Sequence, residues 1–339
     1  MENQSALTTP YRAAEGRYDN MKYNLCGASG LALPPISLGL WHNFGTNDNY
    51  DVGREMILHS FDRGITHFDL ANNYGPLPGS AEITMGRVIK EDLHTHRDEL
   101  IISSKAGHEM WSGPYGGNCS RKSLLASLDQ SLSRTGLDYL DIFYTHRYDG
   151  VTPIEETAQA LTDAVRSGKA LYVGISKYPP EKAQKIYDLL RKAGTPAVVA
   201  QYRYNLLERG VELREIPCAA ANGASVVAFS PLAQGLLGGR YIDGIPEGSR
   251  VAGGSKFLTP DSLTPKKMVA IKALNEAAKL RGESLAQMSL AWTLRNSSVA
   301  SLVIGASSVA QIDDNLKAID SEPFSPEELR TIDNITLYL

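Results

Sequence analysis

Four side chains of complementary chemistry stand in three short contexts of this sequence: Asp69 and Tyr74 in HFDLANNYG, Lys105 in IISSKAG and His146 in FYTHR. A free tyrosine, with a pKa of about 10, is a poor proton donor at neutral pH. A lysine cation beside the phenol favours phenolate. At ~4 Å and an effective dielectric of ~20 the attraction is about 4 kcal/mol, or roughly 3 pKa units before desolvation opposes it. The expectation is that Lys105 brings Tyr74 near working pH, that Asp69 keeps Lys105 protonated and aimed, and that His146 hydrogen-bonds a carbonyl oxygen. An acid facing a carbonyl, with neither metal nor nucleophile, requires an external reductant. Taken singly, each residue also has a structural reading as an ion pair, a loop tyrosine or a strand cap. The four together point to chemistry.

The elements that must position them follow from the period of the chain. Apolar runs rich in Ile, Val, Phe and Tyr begin at Ile36, Ile65, Glu99, Asp138, Leu171, Val198, Ser225 and Ser301. Such runs, without polar alternation, suit strands buried on both faces of a parallel sheet. Between them lie one-sided helical stripes such as Ile154, Ala158, Leu161, Val165 and Ala183, Ile186, Leu190, with Gly64, Gly136, Gly168 and Gly194 as candidate C-caps. Eight βα units in series predict one closed (β/α)8 barrel over residues 21–339, an N-terminal hairpin around GASG, and a polar, loosely held arm over residues 1–20. The seventh strand is followed by a long loop, Gly235 to Pro265, read as a lid, and then by two helical stretches, Lys266 to Arg281 and Ser284 to Asn296. In such a barrel the carboxyl ends of the strands form the chemical face, and Asp69, Lys105 and His146 all fall there.

Composition narrows the partners. The 339 residues are 42% apolar and 21% charged, which excludes disorder and coiled coil. Thirty-four Lys and Arg against thirty-eight Asp and Glu give a net charge of −4 with no basic stripe, arguing against nucleic acid and anionic membrane. The absence of a long apolar run or a signal-like start predicts a cytoplasmic protein. Cys26, Cys119 and Cys218 have no CxxC spacing and read as reduced thiols, and no metal site is expected. GxGxxG, P-loop, HExxH and GxSxG patterns are absent, and His94 and His96 precede a strand, at the barrel end opposite the chemistry.

The chain resembles the aldo-keto reductase superfamily, in particular the branch of potassium-channel β-subunits and bacterial L-glyceraldehyde 3-phosphate reductases. The runs that carry the likeness include SLGLWHNFG, GITHFDLANNYGP, SRKSLLASLDQSL, SGKALYVGIS, PLAQGLL, AQMSLAW and LIGAS. The resemblance implies an Asp69, Tyr74, Lys105, His146 tetrad that reduces small aldehydes with NADPH, plausible substrates being L-glyceraldehyde 3-phosphate and methylglyoxal, in a homo-oligomer. It implies that Ser176 and Gln201 hold the nicotinamide carboxamide and that Ser230, Leu232 and Gly235 line the diphosphate path. Arg240 and Arg250 would close from the lid, while Gly305, Ser307, Gln311, Asp314 and Asn315 would bind the adenosine end. Trp41 would touch both cofactor and substrate, and Tyr204 or a neighbour on the sixth strand would stack beneath the nicotinamide.

Relatives place basic residues at the positions of Ala306 and Gln311, which leaves Arg250 to select the 2′-phosphate here; the lid segment VAGGSKF is also shorter and less charged. Trp111 and the loop WSGPYGGN would wall the substrate pocket, with Arg147 as a phosphate clamp. The competing readings are an NADPH-binding regulatory subunit with slow turnover, like the channel β-subunits, which carry Asn where this chain has His146, and a metal-dependent barrel hydrolase.

Overall fold

The computed structural model describes residues 10–75, 77–254, 257–337 and 339. A two-stranded antiparallel hairpin, β1 (Asn24–Leu25) and β2 (Ala32–Leu33), precedes the parallel strands β3 (Ile36–Gly39), β4 (His67–Asp69), β5 (Ile101–Ala106), β6 (Leu140–Thr145), β7 (Ala170–Ser176), β8 (Ala197–Arg203), β9 (Ser225–Phe229) and β10 (Val299–Ile304). The last eight close into a barrel in sequence order, β10 pairing with β3. Helices α1 (Tyr50–Asp62), α2 (Ser80–Val88), α3 (Arg121–Thr135), α4 (Ile154–Arg166), α5 (Pro180–Lys192), α6 (Glu215–Ala221), α7 (Pro265–Leu280), α8 (Leu285–Leu294), α9 (Val309–Leu316) and α10 (Pro326–Thr336) surround it. Among the described residues no helix is long and apolar enough to cross a membrane.

Local chemistry sets the helix ends. Ser120 caps α3, its Oγ accepting from Ser123 N–H, and the helix stops at Gly136, whose φ of 69° lets its N–H reach the Leu132 carbonyl at 2.8 Å. Side chains then alternate along each strand between two separate cores. Phe68, Ile102 and Phe143 point outward to the helices. Ile142, Tyr144, Val199 and Val227 point inward, where Cys26, Leu31 and Leu33 of the hairpin region pack on them as a plug at the amino end of the barrel. Gly174 makes room for that interior: a Cβ there would lie 2.4 Å from the Tyr144 ring, which crosses from the neighbouring strand.

The part of the N-terminal arm that is described, from residue 10, is not loosely held. Tyr11 Oη and the Ala14 N–H both donate to Asp62 Oδ1, at 2.6 and 2.8 Å, and Arg17 and Tyr18 reach Glu99. Local polarity suggested a free segment; two carboxylates distant in sequence hold it down. Residues 1–9, and Ser255 and Lys256 of VAGGSKF, lie outside the described residues. After β9 the chain enters the long loop, which turns through left-handed Ser230, Ala233, Gln234 and Gly235 and carries Phe257 against Trp41, ring centroids 4.7 Å apart.

Candidate active site

Register sets Asp69 beside Ser103 and Lys105 beside Tyr144, with Asp69 and Lys105 on the inner face at the carboxyl ends of β4 and β5. Lys105 Nζ donates to Asp69 Oδ2 at 2.6 Å and to the Leu70 carbonyl at 2.6 Å, and both side chains are buried. Asp69 Oδ1 accepts from Ser103 Oγ and from Gln201 Nε2, each at 2.9 Å. Tyr74, on the loop after β4, places its ring centroid 5.1 Å from Lys105 Nζ, and the His146 ring meets it edge-on at 5.9 Å. The four residues therefore converge at one mouth.

Their electrostatics differ from the sequence expectation in one respect. Tyr74 is not brought toward neutral pH: burial raises its pKa well above the ordinary tyrosine value, and Asp69 adds in the same direction. Lys105, its own pKa lowered by burial, is engaged by Asp69 and Leu70, so from the phenol the ammonium and carboxylate largely cancel and desolvation wins. Tyr74 thus keeps its proton at neutral pH. Burial, and after it the cations Lys105 and Lys177, hold His146 well below the usual histidine range, so its ring is neutral.

Beneath the pair runs a buried polar chain whose proton directions can be deduced. Asp69, ion-paired, only accepts, so Ser103 Oγ donates to it and must accept from His67 Nε2 at 2.9 Å. Burial depresses His67 to about 4, leaving the ring neutral; its Nδ1 then accepts from Ser37 Oγ at 2.8 Å, which accepts from Ser301 Oγ at 2.6 Å. No member is exposed by more than 1%.

Above the pair opens a cavity of about 850 Å³. Trp41, Ser176, Gln201, Ser230, Leu232 and Gly235 line it, as do Arg240, Arg250, Gly305, Ser307 and Gln311. Several observations fit an anionic dinucleotide. Ser176 Oγ, in the cavity wall, is buried without a partner among the described residues. Ser230 and then Ala233, Gln234 and Gly235 are left-handed (φ 53° at Ser230, 100° at Gly235), a tight turn in the cavity wall in which the Ala233 and Gly235 N–H groups bond to the Ser230 and Leu232 carbonyls. At the other end Arg250, its pKa lowered by burial, has no carboxylate within ion-pair distance among the described residues and lies 3.9 Å from where a Cβ on Gly305 would sit. Gln311 Oε1 accepts from Ser307 N–H at 2.9 Å at that end. Asn315 is buried outside the lining, with its Nδ2 unpartnered.

Other expected site residues are directed elsewhere. Arg147 donates through Nε to Gly107 O and through Nη2 to Gly117 O, both at 2.8 Å; it braces the loops and does not line the cavity. Trp111 is also outside the lining, and Asp314 accepts from Gln287 Nε2 at 2.7 Å, facing α8. Tyr204 points outward, its hydroxyl on Glu212 and its ring against Trp292; the aromatic at that position of the cavity wall is Phe229 of β9. Lys177 and His108, not among the expected site residues, also line the cavity. Lys177 follows Ser176 at a strand end, the same signal that marked Lys105. Among the described residues no three His, Cys, Asp or Glu side chains are grouped to hold a metal.

The comparisons agree with this geometry. The Aldo/keto reductase family matches residues 35–336. A protein of Escherichia coli strain K12 named L-glyceraldehyde 3-phosphate reductase is 54% identical over 321 residues, 94% of this chain and 93% of its own. A Schizosaccharomyces pombe protein provisionally named voltage-gated potassium channel subunit beta is 35% identical over 328 residues, 93% of each chain.

Proposed function

Because this chain belongs to the aldo/keto reductase family, we propose that it reduces small aldehydes with NADPH, among them L-glyceraldehyde 3-phosphate and methylglyoxal. The cofactor, when bound, supplies the hydride. Ser176 and Gln201 would hold its carboxamide, the turn from Ser230 to Gly235 and Arg240 its diphosphate, and Arg250, with Ser307 and Gln311, the adenosine end and its 2′-phosphate. His146, neutral, donates a hydrogen bond that orients the carbonyl oxygen, and Tyr74 gives that oxygen its proton as negative charge builds on it.

The observation that carries the reading is the buried Asp69–Lys105 pair, 2.6 Å apart, beneath Tyr74. A phenol kept protonated by its surroundings transfers its proton only when a stronger base appears, which at this site is the oxygen of a carbonyl receiving hydride. Lys105, whose Nζ lies 5.1 Å from the Tyr74 ring centroid, offsets only part of the cost that burial and Asp69 place on the phenolate left behind, so the proton moves only as the carbonyl oxygen becomes the stronger base. The E. coli relative's name supplies the phosphorylated aldehyde as a substrate; the family supplies the reaction class.

A panel of glyceraldehyde, methylglyoxal and both enantiomers of glyceraldehyde 3-phosphate, assayed with NADPH and NADH in parallel, tests the reading. Aldehyde-dependent NADPH oxidation over many turnovers is expected. Tight NADPH binding with a single turnover limited by cofactor release would favour the regulatory-subunit alternative, and no hydride transfer at all would overturn the reading.

A further inference from the structure

Lys177 is placed unlike the chain's other lysines. It sits just past the end of β7 in a left-handed conformation (φ 56°), its N–H bonded to the Gln201 carbonyl at 3.2 Å, and its side chain enters the cavity. There Nζ donates to His108 Nε2 at 2.8 Å. That bond makes His108 an acceptor and hence a neutral ring, in keeping with its depression to about 4 by burial and by the neighbouring Lys177 and Arg147. Two N–H groups of the ammonium remain without a partner among the described residues. Among the described residues no carboxylate lies within ion-pair distance: Asp69 is taken by Lys105, and Glu109, which lines the same cavity, makes no ion pair with Lys177.

The field around Lys177 is one-sided. Partial burial in the cavity wall, and after it the cations Lys105, Arg147 and Arg203, depress Lys177 to about 8, while the residue stays exposed enough to meet a ligand. Among the described residues only His108 and the Phe229 ring, its centroid 6.0 Å from Nζ, engage the ammonium, and neither carries a charge to balance it. A cation held in a strained backbone, against other cations and without a counter-ion, is matched by an anion that arrives with the ligand. The position narrows which ligand: His108, which accepts from Lys177, packs edge-on against His146 with ring centroids 4.4 Å apart. The free ammonium and the carbonyl-orienting histidine are therefore separated by one imidazole.

We propose that Lys177, buttressed by His108, binds an oxyanion, phosphate or carboxylate, carried by the same short molecule whose carbonyl is reduced beside His146, making it the residue that selects anionic aldehydes. This rests on the reductase reading and refines it. It also reassigns the substrate-anion role from Arg147, whose guanidinium is committed to the Gly107 and Gly117 carbonyls.

The test compares Lys177→Met and Lys177→Arg with the parent enzyme on glyceraldehyde 3-phosphate, glyoxylate and uncharged glyceraldehyde. Loss of a charge-assisted contact predicts a KM increase of roughly 10- to 100-fold for the anionic substrates in Lys177→Met, a shift below about threefold for glyceraldehyde, and substantial recovery in Lys177→Arg. An effect confined to the phosphorylated aldehyde assigns the site to phosphate; an effect on both assigns it to any oxyanion. Equal shifts for charged and uncharged aldehydes, or weaker NADPH binding without substrate discrimination, overturn the proposal. Calorimetry of glycerol 3-phosphate binding to the NADP+ complex provides a second readout that needs no turnover. Loss of binding in Lys177→Met supports the site and equal binding refutes it, even if the parent enzyme reduces none of these aldehydes and the reductase reading fails.

Discussion

The interior of the barrel and its mouth hold similar polar groups on the same strands, but they differ in how those groups are satisfied. Inside, Ser301, Ser37, His67, Ser103 and Asp69 form a chain in which each group meets its neighbour and each proton direction is determined. At the mouth, among the described residues, Ser176 Oγ and His146 Nδ1 are buried with no partner, and the partly exposed Lys177 and Arg250 have no counter-ion. The two lysines show the same contrast: Lys105 is neutralised by Asp69, Lys177 by no carboxylate among the described residues. Buried polar groups left unsatisfied are costly, and beside an open cavity a ligand can complete the set; Tyr144 Oη, unpartnered among the described residues, is the interior's exception. A satisfied network marks architecture; an incomplete one outlines what the molecule binds.

The contrast can be broken experimentally, most strongly at the mouth. Tyr74→Phe removes the proposed acid while retaining the ring, and should lower kcat by about 10²- to 10⁴-fold with NADPH affinity within about threefold, measured by aldehyde-dependent NADPH oxidation and fluorescence titration. Unchanged turnover would remove Tyr74 from the mechanism. Asp69→Asn leaves the Lys105 ammonium buried without its counter-charge and should destabilise the protein by about 3–5 kcal/mol in denaturant unfolding, on top of lost activity.

The interior chain predicts a pH dependence of stability. His67 titrates near 4 in the folded state against about 6.5 unfolded, so between those values the unfolded chain binds more protons and stability rises with pH. The expected gain is up to about 3 kcal/mol between pH 4 and pH 7, isolated by subtracting the unfolding curves of His67→Gln from those of the parent. Parallel curves would mean that His67 is not held neutral.

The smallest effects discriminate best between the two regions. Ser103→Ala strips a donor from Asp69 and leaves His67 Nε2–H unpaired, at a cost of about 1–3 kcal/mol. Ser176→Ala removes a hydroxyl that has no partner and should change stability by no more than about 0.5 kcal/mol, while weakening NADPH binding several-fold. Similar stability losses in both variants would erase the distinction drawn here.

Much of the scaffold could be read from the residues alone. The eight apolar runs, the glycine stops and the two helices after the long loop reappear within a few residues of where periodicity set them, because side-chain period and capping are local properties. Asp69, Lys105 and His146 were identifiable because an ionisable group at the carboxyl end of a buried parallel strand has no structural excuse. Lys177, one residue past the end of β7, carries the same mark.

Tertiary structure alone decided which charges meet. Gln201 bonds Asp69 across 132 residues, Arg147 turns to loop carbonyls, and Tyr74 keeps its proton because burial outweighs a lysine already engaged. Helix and strand signals are written within a dozen residues of chain. Desolvation and ion pairing depend on what the rest of the molecule places within a few ångströms, and no local pattern encodes that.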